Sequence, residues 1–171
     1  MGAPRLVALS GLPGSGKSTL AAGLARALPA TLLAVDPIEA AMRRGGVVDG
    51  LTGVAAYTVA ATLAETQLDL RLSAVIDAAN AAEPPRALWR EMARRTGAVF
   101  IPVECVCGDR LAHRRRVEAG EVVTWARVEQ RREAFEPWAE PHLALDTTAE
   151  APDALVQRVL DHIAGLSSAR R

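Results

Sequence analysis

The chain has 171 residues, of which 50% are hydrophobic and 23% charged, and its 20 cationic side chains balance 20 carboxylates to a formal net charge of zero. This composition fits one globular domain spanning residues 1–171 and excludes a disordered chain. It also argues against a protein that lives by wrapping nucleic acid, which would carry a basic excess, although a small basic patch stays open. Leu6 to Ser10 form a short apolar run closed by glycines, which predicts a buried strand. The residues before it carry one cation and too few apolar side chains for a secretory leader. Lys17 to Leu28 place Leu20, Leu24 and Leu28 four apart, the spacing of an amphipathic helix, and Pro29 closes it.

Thr31 to Asp36 predict a second buried strand with Asp36 at its carboxyl end, where Pro37 disfavours helical geometry for Asp36. A short helix over Ile38–Arg44, a glycine-rich loop from Gly45 to Gly53 and a long helix over Val54–Leu72 follow. Ser73 to Asn80 read as a third strand with Asp77 near its end. A helix then opens on Pro84 and Pro85 and stops at Gly97, burying Trp89 and Met92. Ala98 to Val106 predict a fourth strand. It carries Cys105, with Cys107 just beyond; two thiols with only His113 nearby read as inert and reduced. Residues 108–138 are mostly helical and rich in arginine. His142 to Thr147 suit a fifth strand, and Ala151 to Leu166 a closing helix with a frayed tail from Ser167. No run approaches the ~20 apolar residues of a membrane span, so the expected compartment is the cytoplasm. Strands alternating with helices predict an α/β fold with a mainly parallel sheet.

The glycine run after the first strand carries the chemistry. Gly11, Gly16, Lys17 and Ser18 fit G-x-x-x-x-G-K-[ST], between a strand and a helix as that motif requires. Backbone N–H groups of the loop, which includes Pro13, Gly14 and Ser15, turn toward phosphate oxygens at the positive end of the helix. Lys17 reaches the β- and γ-phosphates as a compact charge, Ser18 offers a hydroxyl to Mg²⁺, and Thr19 supports the α-phosphate. Lys17 is the only lysine in the chain. The Ala- and Arg-rich usage resembles that of a GC-rich bacterial genome, so a lone lysine marks a place where a guanidinium would not serve.

A bound nucleotide can serve a switch, mechanical or transport work, or phosphoryl transfer. A GTPase switch reads guanine with N-K-x-D, which a chain with one lysine, in the phosphate loop, cannot contain. Transporter ATPases carry a signature, LSGGQ, that is absent from the sequence. A small kinase remains, and a kinase needs a carboxylate beside the γ-phosphate. Asp36 and Asp77 both stand at strand ends, where ligands collect in parallel sheets. Asp36 is the candidate base or acceptor-orienting residue and Asp77 the candidate Mg²⁺ partner through water; either could instead cap a turn. Arg114, Arg115 and Arg116 are candidate lid cations, with Arg116 first for charge on the transferring group. Arg131 and Arg132 are weaker candidates, and a solvated helix face is the alternative. Asn80 could touch the acceptor or serve a turn. Trp125 and Trp138 could wall a pocket or pack the lid.

"SGLPGSGKSTLA", "LLAVDPI", "AVIDAAN", "VECVCGDRLAHRRRVE" and "WARVEQRREAFEPW" together resemble the small P-loop kinase-like "AAA domain" ATPases. These are related to polynucleotide kinases, zeta-toxin kinases and chloramphenicol phosphotransferases. The resemblance implies a three-layer fold with a five-stranded parallel sheet in the order 2-3-1-4-5, helices on both faces, and a lid. ATP and Mg²⁺ are implied as cofactors, a catalytic carboxylate at Asp36, an Asp-x-x-Asn pattern at Asp77 and Asn80, and lid arginines among Arg114 to Arg116. The stretch Gly120 to Thr124 is short where relatives carry a longer lid. The expected activity is phosphoryl transfer from ATP to a hydroxyl of a small molecule, by a monomer or homodimer. The alternatives are a 5′-hydroxyl polynucleotide kinase, which the neutral charge disfavours, and a regulatory ATPase without acceptor.

Overall fold

The structure, a computed structural model, describes residues 2–48, 50–120 and 123–168. The end of the expected frayed tail and part of the short lid stretch after Gly120 lie outside the described residues, as does Asp49 of the glycine-rich loop. In chain order the elements are β1 (Arg5–Ser10), α1 (Lys17–Ala27), β2 (Ala30–Ala34), α2 (Val35–Arg44), α3 (Thr52–Asp69), β3 (Ser73–Asp77), α4 (Glu83–Thr96), β4 (Val99–Val106), α5 (Arg110–Gly120), α6 (Trp125–Glu133), β5 (Leu143–Asp146) and α7 (Pro152–Ser168).

The strands form one sheet in the order β2-β3-β1-β4-β5, and every pairing is parallel. β1 lies at the centre because its apolar run can be covered on both faces. Successive side chains of a strand point to opposite faces. Leu6 and Ala8 therefore enter one core, with the stripe Ala56, Ala60, Ala64 and Leu68 of α3 and with Trp89 and Met92 of α4. Val7 and Leu9 enter the other, with Leu20 and Leu24 of α1 and with Leu155, Val159 and Ile163 of α7. The four-residue spacing along α3 puts small side chains on one face, so that helix can lie close to the sheet. Parallel pairing sends the carboxyl ends of all five strands to one rim, where the phosphate loop, Asp36 and Asp77 meet.

Two expectations about the second strand change. β2 is the edge strand, with Leu32 38% exposed, and not a buried one. Its neighbour on one side only, β3, cannot shield it fully. The strand also stops at Ala34, and Asp36 lies in the first turn of α2. Ala34, extended at φ −99° and ψ 117°, takes the N-cap position. Pro37 is accommodated because an N–H in the first helical turn has no helical acceptor to lose. A carboxylate there also sits at the positive end of the helix.

Candidate active site

Residues 11–16 connect the end of β1 to the start of α1, and their backbone is held from three sides. Gly11 has φ 142°, and a Cβ there would lie 2.4 Å from the carbonyl oxygen of Cys105. Its N–H donates to the Ala79 carbonyl at 3.1 Å. The Thr147 hydroxyl donates to the Ser15 carbonyl at 2.9 Å. His113 Nε2 lies 2.8 Å from the Pro13 carbonyl. Gly16, at φ 84°, caps α1 in a left-handed conformation that costs other residues energy. The free N–H groups at the start of α1 thus face the loop's interior. A cleft of about 430 Å³ opens there, lined by Gly14, Gly16, Lys17, Ser18, Thr19 and Arg116 on its polar side, with Pro152 and Leu155 of α7 as apolar wall.

Lys17 is buried, with Nζ donating to the Leu12 carbonyl at 2.9 Å. Burial pushes its amine pKa down, and the charges of Asp77 and Asp36 oppose that shift. Asp77 ends β3 as expected and is also buried. Burial pushes its carboxyl pKa up, while a hydrogen bond with the Ser18 side chain and the nearby Lys17 pull it back. Hydroxyl, carboxylate and ammonium thus converge on one point beside the loop. This donor set suits Mg²⁺, which takes few protein ligands, keeps several waters and completes its shell with phosphate oxygens. Among the described residues no cluster of three or more His, Cys, Asp or Glu offers a separate all-protein metal cage.

A second cavity, of about 240 Å³, adjoins the other side of the loop at Gly11, Leu12 and Pro13. Asp36 lines it, with Val35, Glu39, Tyr57, Arg131 and Phe135. Asp36 is close enough to Lys17 and Asp77 to act on both electrostatically. Arg131 is close enough to Lys17 to oppose its protonation.

The lid arginines separate. Arg116 reaches the nucleotide-side cleft and donates to the Thr147 hydroxyl and carbonyl, each at 2.9 Å. Arg114 pairs with Glu118 at 2.7 Å on the exposed face of α5, and Arg115 is exposed; neither is among the residues lining the cleft. Arg132 donates to His113 Nδ1 at 3.0 Å. Trp125 packs edge-on against His113, with ring centroids 5.3 Å apart. Trp138 donates to the Ser10 hydroxyl at 3.3 Å and stacks on His142, so both tryptophans pack the lid and its root.

Asn80 is the clearest correction. Its side chain is buried, with Nδ2 donating to the Leu9 carbonyl at 2.6 Å and Oδ1 accepting from Trp89 Nε1 at 2.9 Å. Both ends are engaged in the core and the side chain is buried away from the second cavity's lining, which fits a structural role instead of contact with an acceptor. Its φ of 43° explains why asparagine suits the position, since it tolerates left-handed backbone. Burial pushes the Cys105 thiol up to about 12, which keeps it protonated.

Sequence reasoning missed Glu39, Tyr57, Phe135 and Thr147. Two of them had a readable pattern. Glu39 lies three residues after Asp36, one helical turn on. Thr147 follows β5 at the same rim where Asp77 ends β3. Tyr57 and Phe135 come from distant segments, and no local pattern announces them.

A five-stranded parallel sheet in this order, with a glycine loop feeding the central helix, defines the fold of the P-loop kinases. Residues 6–138 match the family model described as "AAA domain", and the chain belongs to that family. Among curated proteins, none matches the sequence. Solved structures show the same fold. The APS kinase CysC of Mycobacterium tuberculosis, in complex with AMPPNP and APS, is 21% identical with a TM-score of 0.73, over 96% of this chain and 99% of that one. A gluconokinase from Sinorhizobium meliloti 1021 is 18% identical with a TM-score of 0.71, over 99% and 97%. Chaetomium thermophilum Kti12, in complex with ADP-AlF3, is 17% identical with a TM-score of 0.70, over 94% and 98%.

Proposed function

We propose that the protein is an ATP- and Mg²⁺-dependent kinase that phosphorylates a hydroxyl group of a small-molecule acceptor. The observation that carries this reading is the pair of cavities meeting at the phosphate loop, with Lys17 lining the first and a carboxylate, Asp36, lining the second. A hydrolytic switch needs room for one water; a cavity of about 240 Å³ beside the loop suits an acceptor. The nucleotide analogues in the APS kinase and Kti12 structures support a nucleotide in the corresponding place here.

In this reading the loop amides and Lys17 hold the phosphates, with Arg116 and Thr147 at the nucleotide side. The acceptor oxygen forms its bond to the γ-phosphorus as the bond to the ADP oxygen breaks. The acceptor proton passes to Asp36, directly or as the oxygen loses it late in a loose transition state. Lys17 and Arg131 face the charge that gathers on the transferring group. Magnesium, held by Ser18 and through water by Asp77, would neutralise β- and γ-phosphate charge. The protein would act in the cytoplasm, where ATP is plentiful, and among the described residues no helix is long and apolar enough to cross a membrane.

Asp36→Asn tests the assignment. The isosteric amide should leave Mg·ATP affinity within about twofold and lower acceptor-dependent ADP release by about 10²–10⁴. Undiminished transfer by Asp36→Asn would remove Asp36 as base.

A further inference from the structure

The walls of the second cavity carry information about what it holds, given the kinase reading on which this inference rests. Two carboxylates, Asp36 and Glu39, stand one turn apart on α2 and both line it. Glu39 is held in place by two donors, Arg43 at 2.5 Å and the Thr52 hydroxyl at 2.9 Å. Both bonds fall on Oε1, so Oε2 keeps its lone pairs for a ligand. Arg131 also lines the cavity and is close enough to Lys17 to act on its charge. Tyr57 and Phe135 add aromatic surface, and the Tyr57 hydroxyl already accepts from the Asn80 N–H at 3.2 Å.

From this we infer that the acceptor is an uncharged or cationic, donor-rich compound of about one ring, such as a cyclic polyol or amino sugar, and is not an anion. One hydroxyl would meet Asp36 and a second O–H or N–H would donate to Glu39 Oε2, while an apolar ring face lies on Tyr57 and Phe135. Arg43 offsets part of the Glu39 charge but is not among the residues lining the cavity, so a carboxylate or phosphate on the acceptor would still be set against Asp36 and Glu39, an unfavourable placing of like charges. The size limits the acceptor to about one ring, because about 240 Å³ falls below the ~300 Å³ at which sites for drug-sized ligands begin. A nucleic-acid end, with a phosphate on every neighbouring residue, fails on both counts.

The test uses the whole protein loaded with Mg²⁺ and a non-hydrolysable ATP analogue. Ligand-observed NMR would score a library of cyclic polyols, amino sugars, nucleosides, sugar acids, sugar phosphates and short 5′-hydroxyl oligonucleotides. Matched sets such as glucose, glucosamine and glucuronate would isolate charge. Binding should be confined to neutral and cationic members, each at least about tenfold tighter than its anionic twin, a difference of ~1.4 kcal/mol. Glu39→Gln should weaken those binders about tenfold and leave nucleotide affinity unchanged, because glutamine can still accept from Thr52. Glu39→Arg should reverse the preference toward anions. Equal or tighter binding of anionic members, no binder in the library, or no response to Glu39→Gln would overturn the inference. The two readings fail separately. An anionic compound that drives ADP release from Mg·ATP sinks the acceptor class and leaves the kinase standing. A neutral compound bound in the expected pattern, with no such release, sinks the kinase.

Discussion

At the scale of single residues, the lone lysine has a physical setting that explains it. Lys17 Nζ sits buried, 2.9 Å from a loop carbonyl and under the influence of two aspartates. A compact ammonium can turn its three donors from carbonyl to phosphate, whereas a planar guanidinium would need a wider space. Lys17→Arg should keep its charge and fold yet lose on the order of 10²-fold or more in kcat/KM. Circular dichroism and ADP release, measured together, check that split. Lys17, Ser18 and Asp77 were readable because covalent spacing alone places them, as a loop-to-helix motif and as the last residue of a strand. Asn80 was not. Its role depends on Trp89 and on Leu9, residues brought together only by the packing of α4 on the sheet.

Between elements, His113 and Arg86 help to hold the lid to the body. His113 on α5 bridges the Pro13 carbonyl and Arg132 of α6. A carbonyl can only accept and a guanidinium can only donate, so the imidazole is neutral with its proton on Nε2. Burial pushes the pKa of His113 below its ordinary value, and Arg132 and Arg116 add to that, against the Pro13 bond and Glu129. The sign follows: the unfolded chain binds the proton more readily than the folded one. Stability from this contact is complete above the ordinary histidine pKa of 6.5 and falls as pH drops through that value toward the lower folded one. Urea midpoints at pH 7.5 and 5.5 should therefore separate more for wild type than for His113→Gln. Arg86 of α4 does the second job. It is buried and donates to the carbonyls of Asn80, Glu136 and Pro137, between the rings of Phe135 and Trp138. Arg86→Ala should cost about 2–4 kcal/mol in chemical denaturation, because three carbonyls lose their donors at once. The Arg-rich composition hid this role. One arginine among nineteen looks like another solvated cation until the chain segment after α6 folds over it. The same limit applied to Asp36, since only the fold shows that α2 begins directly at the end of β2.

Over the whole molecule, the alternation of strands and helices made the α/β class legible, and the order 2-3-1-4-5 followed from resemblance and is observed. The edge position of β2 was not legible, because "TLLAV" is as apolar as a central strand and pairing partners are not written in local sequence. A site that joins β1, β3, α1, α5 and α7 should stabilise all of them when filled. Mg·ATP at about a hundred times its Kd should add ~2.7 kcal/mol. For a domain of this size that raises Tm by about 5–10 °C. A thermal scan with and without nucleotide measures it, and Lys17→Arg should abolish most of the shift.

The central place of β1 also governs when the site can exist. β1 has both its partners far along the chain, with Leu6 pairing Ala74 on one side and Arg5 pairing Val99 on the other. Gly11 takes its floor from Ala79, just beyond β3, and from Cys105 of β4. Such non-local pairing delays folding, since loop closure must come before the contacts that reward it. The loop that follows β1 is made well before the segments that complete the nucleotide cradle. ATP affinity during synthesis is therefore a readout of the later strands joining the sheet and of α7 closing the cleft.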